Sequence, residues 1–153
     1  MKRVIITGGL ALALVGMCIA SVNMQAERTA FDNGLHLSLV GTWRLVSMKI
    51  RGEESRLPEI SVTYKHITPC AFMWVSYEPV TGRIFRAAGG TYTILGNNYT
   101  EKIEYGVGGD YEIIKSTQPS FTAKVDGDRW YHDGILANGT TIEEIWERLK
   151  PEK

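Results

Sequence analysis

From Val40 onward, apolar and polar residues alternate in short runs that are separated by turn-forming residues. Alternation with a period of two places every second side chain on the same face of a β-strand. The runs are also rich in Thr, Tyr, Val, Ile and Trp, which are enriched in strands. The pattern predicts eight strands, at residues 41–50, 62–68, 71–78, 83–95, 98–106, 118–126, 128–136 and 140–149.

The turns between these runs carry their own predictions. The Asn138-Gly139 pair is a strong sequence for a two-residue hairpin, and Asp-Gly-Asp at 126–128 is a second candidate. The fourth run is too long for a straight strand, and Gly89-Gly90 in its middle predicts a bulge or bend. The last run also fits a short amphipathic helix, but the preceding Asn-Gly turn favours a strand.

Eight strands that are joined mostly by tight turns form an up-and-down meander. Because the strand number is even, the first and last strands run antiparallel and can pair, which closes the sheet. The predicted fold class is therefore all-β, an eight-stranded antiparallel up-and-down barrel. The interior of such a barrel is either filled by side chains or holds one small ligand.

The N-terminus is predicted to lie outside this barrel. A charged MKR segment is followed by an apolar run and by a small-residue site after Ala26, which is typical of a secretory signal peptide at 1–26. We expect a flexible lead-in at 27–39, a barrel domain at 40–150 and a secreted or periplasmic protein without a transmembrane span after cleavage. The alternatives are a retained N-terminal anchor and a lipid anchor at Cys18, although Met17 stands where a lipoprotein signal has a small residue.

The charge and the cysteine content limit the expected partners and the source of the protein's stability. Cleavage removes Lys2 and Arg3, so the 17 basic residues fall to 15 against 17 acidic residues. Without a basic run, neither nucleic acid nor an anionic membrane surface is an expected partner. Cys70 is then the single remaining cysteine, so stability must come from a core, and we expect Cys70 to be buried in it.

Several segments of the chain resemble sequences of the calycin superfamily, which includes lipocalins and fatty-acid-binding proteins. The resemblance is strongest to small secreted bacterial lipocalin-like proteins of largely unassigned function. The segments span nearly the whole mature chain: GTW at 41–43, YKHITP at 64–69, FMWVSY at 72–77, AAGGTYTILGNNYTEKIEY at 87–105, VDGDRWYH at 125–132 and NGTTIEEIWER at 138–148. The resemblance implies a calycin-type barrel.

The resemblance also implies how the barrel closes. Lipocalins place an Arg or Lys near the end of the last strand, across the indole of the Gly-x-Trp motif, and Arg148 matches that position relative to Trp43. Antiparallel pairing of the first and last strands would bring both residues to the same rim, where a cation over an indole is favourable by about 0.5–2 kcal/mol. The chain lacks room for a lipocalin's C-terminal helix and for the two-helix lid of fatty-acid-binding proteins. The ligand rules of those subfamilies therefore do not transfer.

Alternation also predicts which side chains face the lumen. With Trp43 inward, Leu45 and Ser47 follow on the first strand, and Tyr105 joins the fifth strand's inward face. A one-residue slip on any strand would invert its face. The proposed ligand-binding residues are Tyr64, His66, Phe72, Trp74, Tyr99, Glu101, Trp130, His132 and Glu144.

An aromatic lumen with a few ionisable groups is typical of a small-molecule site. We therefore expect a non-catalytic barrel that binds a small apolar or amphipathic ligand, with no cofactor and no metal. Three alternatives remain open: an enzyme that uses lumenal His and Glu as acid and base, a haem- or metal-binding barrel that depends on His132, and a solid-core structural or interaction protein. The ligand, the oligomeric state and the pathway are not predictable from this pattern.

Overall fold

The computed structural model of the protein describes residues 34–115 and 117–151, apart from the side chain of Asp110. The predicted signal peptide, Cys18 and the first part of the expected lead-in lie outside these residues.

Nine strands and three short helices make up this part of the chain. The strands are β1 (Gly41–Ile50), β2 (Glu53–Glu54), β3 (Val62–Ile67), β4 (Ala71–Tyr77), β5 (Ile84–Leu95), β6 (Asn98–Val107), β7 (Ser120–Asp126), β8 (Arg129–Ile135) and β9 (Thr141–Arg148). The helices are α1 (residues 34–39), α2 (Leu57–Ile60) and α3 (Gly109–Ile114).

The strands form one antiparallel sheet that closes on itself. Each strand from β3 to β8 pairs with the strand that follows it in the chain, and β1 pairs with both β3 and β9. β2 pairs only with the end of β1 and lies outside the ring. The predicted eight-stranded barrel is confirmed, each predicted run matches one of its strands to within two residues at either end, and the last run is a strand rather than a helix.

The long strand β5 bends where the glycine pair predicted it. The register between β5 and β6 shifts between Gly89 and Gly90. A Cβ atom added to Gly90 would lie 2.0 Å from the carbonyl oxygen of Lys102, so only glycine allows the two backbones to approach this closely. A second shift, between Leu45 and Ser47 on β1, changes which face is buried. Met48 therefore faces the core where Ser47 was expected.

One end of the barrel is closed by the residues at the start of β1 and the end of β9. Trp43 lies opposite Arg148, and the guanidinium carbon of Arg148 is 4.1 Å from the centre of the indole. The predicted contact is thus present. Arg148 also donates hydrogen bonds to the carbonyl oxygens of Val40, at 2.8 Å, and Ser38. Gly41 has a φ of +143°, and a Cβ there would lie 2.6 Å from Arg148 Nη1, which explains the glycine of the Gly-x-Trp motif.

Helix α1 covers this closed end, although residues 34–39 were expected to belong to a flexible lead-in. Leu39 is fully buried in the core, and its carbonyl oxygen accepts a 2.8 Å hydrogen bond from Trp43 Nε1. The buried side chain of Leu39 and the hydrogen bond that its carbonyl oxygen accepts from Trp43 hold the segment against the barrel. The polar composition of the lead-in concealed this role.

Two further expectations differ from the structure. Cys70 is exposed in the turn between β3 and β4, so the prediction that it fills the core is wrong. The glycine-rich segment after β6 was predicted as a turn alone, yet it leads into helix α3, whose N-cap is Gly108 with a φ of +97°. Tyr111 and Ile114 of α3 pack against the core, which stabilises a helix too short to form by itself.

Candidate functional site: the cavity in the barrel

A layer of four buried aromatic side chains lies in the barrel next to its closed end. Trp43, Phe72, Tyr99 and Trp130 are each at most 1% exposed. Trp130 contacts Trp43 and Tyr99 in edge-to-face geometry, with ring centres 5.6 Å apart in both pairs. This layer forms the floor of the space above it, and none of its four residues lines that space.

Above the floor lies a cavity of about 290 Å³ that reaches toward the opposite end of the barrel. This volume is at the lower end of the range for small-molecule sites. The cavity's upper walls are apolar and come from β1, β9, the turn between β8 and β9, and helix α3. They include Met48, Ile50, Ile113, Ile114, Leu136 and Ile142.

A buried ion pair stands at the base of the cavity. Lys65 Nζ lies 2.6 Å from Glu101 Oε1, and both side chains are under 5% exposed. The ammonium group is also 5.0–5.7 Å from the centres of four rings, those of Phe72, Tyr99, Trp130 and Trp146. The carboxylate and the ring faces together replace the water that a lysine normally requires.

Burial affects the tyrosine beside this pair. Tyr99 is enclosed in the floor, and burial together with the negative charge of Glu101 holds the pKa of its hydroxyl well above the usual value of 10. Tyr99 is therefore neutral at every physiological pH.

A second polar group, the His132–Glu144–Trp146 cluster, borders the cavity on β8 and β9. His132 Nδ1 donates to Glu144 Oε2 at 2.7 Å, and Trp146 Nε1 donates to the same oxygen at 3.0 Å. The ring of Phe121 lies against His132, with centres 3.9 Å apart. His132 Nε2 is buried and has no hydrogen-bond partner among the residues that the structure describes.

The ionisation of this cluster follows from its surroundings. Burial and the positive charge of Lys65 lower the pKa of His132 below 6.5, although Glu144 opposes them. Burial raises the pKa of Glu144, but the hydrogen bond from His132, the charge of Lys65 and the hydrogen bond from Trp146 outweigh it, so the net shift is downward. At neutral pH the cluster therefore holds a neutral imidazole and an ionised carboxylate.

Most of the site residues predicted from sequence point into the barrel. Trp74, Glu101, His132 and Glu144 line the cavity, whereas Phe72, Tyr99 and Trp130 lie in the floor beneath it. The sequence pattern could not distinguish these two depths, because both sets occupy inward positions on their strands.

The inward orientation predicted for Tyr64 and His66 is wrong. On β3 the buried residues are Thr63, Lys65 and Ile67, so the alternate positions face outward. His66 Nδ1 instead lies 3.0 Å from the hydroxyl of Thr42 on the outer face. Tyr105, also predicted to face inward, is 51% exposed because the bulge between β5 and β6 displaces the end of β6.

The same inversion hid the lysine at the base of the cavity. A lysine on a strand is usually exposed. The aromatic residues Tyr64 and His66 therefore indicated that the other face of β3 was the buried one. Ile67, two residues after the lysine, was the one indication of the correct face. Arg86 was also missed: it lines the cavity from β5, its Nε donates to Ser76 Oγ at 3.1 Å, and its guanidinium lies 5.7 Å from the centre of Trp74.

Among neighbouring strands of the ring, β6 and β7 have the fewest paired residues. These strands share only three residue pairs, from Asn98–Thr122 to Thr100–Ser120, although β6 continues to Val107. Helix α3 and the segment that follows it cover the remaining gap, and Ile114 and Pro119 line the cavity from there. The cavity therefore has a wall that is closed by side-chain packing instead of strand pairing.

Two kinds of feature are absent from the described residues. Within residues 34–115 and 117–151, no group of three or more His, Cys, Asp or Glu side chains is placed to hold a metal ion. None of the helices in these ranges has the length and apolar character required to cross a bilayer.

Several solved structures are similar to this chain. A redesigned β-barrel is 16% identical, with a TM-score of 0.49, and the alignment covers 76% of this chain and 96% of that one. The fatty acid transporter REP1-NXSQ is 14% identical, with a TM-score of 0.43 and coverage of 76% and 99%. A mutant of the fluorescent protein UnaG is 7% identical, with a TM-score of 0.43 and coverage of 75% and 99%.

Family membership follows from the sequence match. No protein of curated function matches the chain. The profile of the lipocalin-like domain family matches residues 39–123, which is more than half of the chain and runs from the end of α1 into β7. The chain therefore belongs to the lipocalin-like domain family.

Proposed function

We propose that this barrel binds one small, partly apolar molecule in its cavity and does not change it chemically. The observation that carries the proposal is the cavity of about 290 Å³, whose upper walls are largely apolar and whose charged lining residues are few: Lys65, Arg86, Glu101 and Glu144. Few convergent polar groups in an apolar cavity orient a ligand, while burial of apolar surface supplies most of its affinity.

Different residues of the cavity would contact the apolar part and the polar part of the ligand. Trp74, Trp146 and the aliphatic walls remove the apolar part of the ligand from water, and the His132–Glu144–Trp146 cluster offers fixed hydrogen-bonding atoms. Phe72 and Trp130 act one layer lower, as the floor on which these groups stand. A ligand then contacts Trp74 and Trp146 but not the floor tryptophans.

We expect 1-aminoanthracene, a small fluorescent apolar probe, to bind one per barrel with a blue-shifted, enhanced emission. Substitution Ile142→Phe fills the cavity from β9 and should weaken the binding roughly tenfold or more, since the added ring occupies the probe's space. The matched control is Ile135→Phe, because Ile135 is 62% exposed and points away from the cavity. The measurement is a fluorescence titration.

Absence of saturable binding to the wild-type protein would refute the proposal. Equal loss of binding in both variants would show that the probe does not occupy the cavity. Unchanged binding in Ile142→Phe would have the same meaning.

The place of action proposed here is outside the cytoplasm, after removal of residues 1–26. Support comes from the charged, apolar and small-residue segments of the N-terminus. Intact mass spectrometry of the protein from its native cells should show a chain that begins at Glu27. A mass that corresponds to an acylated Cys18 would replace secretion with lipid anchoring, and a mass that includes Met1 would contradict both.

A further inference from the structure

The oxygen Oε1 of Glu144 is the part of the His132–Glu144–Trp146 cluster to which the proposed function assigns no ligand group. Both hydrogen bonds to this carboxylate end on Oε2, and no described residue donates to Oε1. The side chain keeps 13% of its surface accessible and lines the cavity, whereas Glu101 is 4% accessible. A ligand in the cavity can therefore reach a carboxylate oxygen whose orientation is already fixed.

The charges around Glu144 leave this carboxylate without a directly bound cation. Lys65 is in contact with Glu101, at 2.6 Å. His132 touches Glu144 but is neutral at neutral pH, because burial and Lys65 lower its pKa. Arg86 lines the cavity from β5, on the opposite side of the ring from β9, where it donates to Ser76. The oxygen that faces the cavity thus lacks a positively charged partner among the described side chains.

We propose that Glu144 binds the ammonium group of a small amine whose apolar body fills the upper cavity. This inference rests on the proposed function and names the chemical class of its ligand. An ammonium group supplies the charge and the N–H donors that Oε1 lacks, and the indole of Trp146 stands beside it. The cavity volume limits the body to a small apolar group, from one aromatic ring to about three fused rings, at the lower end of the size range of ligand sites.

The test compares three probes of matched shape that differ in the polar end: 2-phenylethylamine, 2-phenylethanol and phenylacetate. Each competes with 1-aminoanthracene for the wild-type barrel at pH 7.5. We expect 2-phenylethylamine to bind on the order of tenfold more tightly than 2-phenylethanol, which corresponds to one charge-assisted hydrogen bond. Phenylacetate should bind most weakly.

Substitution Glu144→Gln keeps the size of the side chain and removes its charge, so it should abolish the preference for 2-phenylethylamine over 2-phenylethanol. The control is Glu143→Gln, the neighbour on β9 whose exposed carboxylate lies 3.9 Å from Lys49 on the outer face. That variant should keep the wild-type preference. The comparison of probes in the wild-type protein decides the question even if a variant folds poorly.

The pattern of results separates the two proposals. If 1-aminoanthracene binds but 2-phenylethanol or phenylacetate binds as tightly as 2-phenylethylamine or more tightly, the proposal of an amine ligand is overturned. The proposed function then remains intact. Absence of saturable 1-aminoanthracene binding would overturn both proposals, and binding of 1-aminoanthracene that none of the three probes displaces would overturn the amine alone. Retention of the amine preference in Glu144→Gln would exclude Glu144 as its source.

Discussion

Substitution of Lys65 by methionine is expected to lower the free energy of unfolding by about 3–5 kcal/mol. Methionine fills much of the same space, so the loss comes from the charge that remains. Glu101, which is 3% exposed, would keep a buried carboxylate whose cation is gone. Removal of one partner of a buried pair is far more damaging than the pair itself is stabilising. Urea unfolding followed by tryptophan fluorescence measures the change.

The double variant Lys65→Met, Glu101→Gln separates this explanation from simple loss of packing. It removes both charges, so it should recover most of the stability that the single substitution loses. Lys102→Met is the matched control, because Lys102 is the next residue on β6 after Glu101 and its side chain is 64% exposed. It should change stability little. A Lys65→Met protein as stable as wild type would contradict the buried ion pair.

Substitution of Trp130 by alanine is expected to destabilise the barrel by about 3–5 kcal/mol, as other large-to-small changes of buried aromatics do. Trp130 is fully buried and contacts the rings of Trp43, Tyr99, His132 and Trp146. It is also the nearest of the four rings to Lys65, at 5.0 Å. Its removal would therefore open a void in the floor and take away part of the environment of a buried ammonium group.

Thermal and urea unfolding should both show the loss. Ile135→Ala, on the same strand but 62% exposed, is the control and should cost much less. If Trp130→Ala proved as mild as Ile135→Ala, the floor could not be the rigid layer that its ring contacts indicate.

The strands and their order were predictable because each rests on local information. Period-two alternation, the turn residues and the glycine pair in β5 placed eight strands within a few residues of their observed bounds. Closure then followed from the even strand number, and the Trp43–Arg148 contact from the family resemblance. The small helices were not predictable, because α1, α2 and α3 have no more than six residues each in the described chain and depend on packing against the barrel.

The site was predictable only in part, for a reason that β3 illustrates. Alternation states which residues share a face, but not which face is inside. On β3 the inner face carries Lys65, a residue whose burial depends on a carboxylate from β6, 36 positions later in the chain. No local pattern contains that partner. The depth of Trp130 relative to Trp74 is a property of the closed barrel in the same way.

Closure through the first and last strands also affects how the chain acquires its structure. Arg148 binds backbone oxygens that lie 108 and 110 positions earlier in the sequence, so the contacts that complete the ring are among the most distant in the chain. Contacts of such separation slow folding, because the entropy of the intervening chain is lost before they form. Until β9 has been synthesised and docked, β1 presents an unpaired apolar edge of the kind that promotes aggregation. Nascent chains of this protein are therefore expected to be most prone to aggregation before their last strand is available.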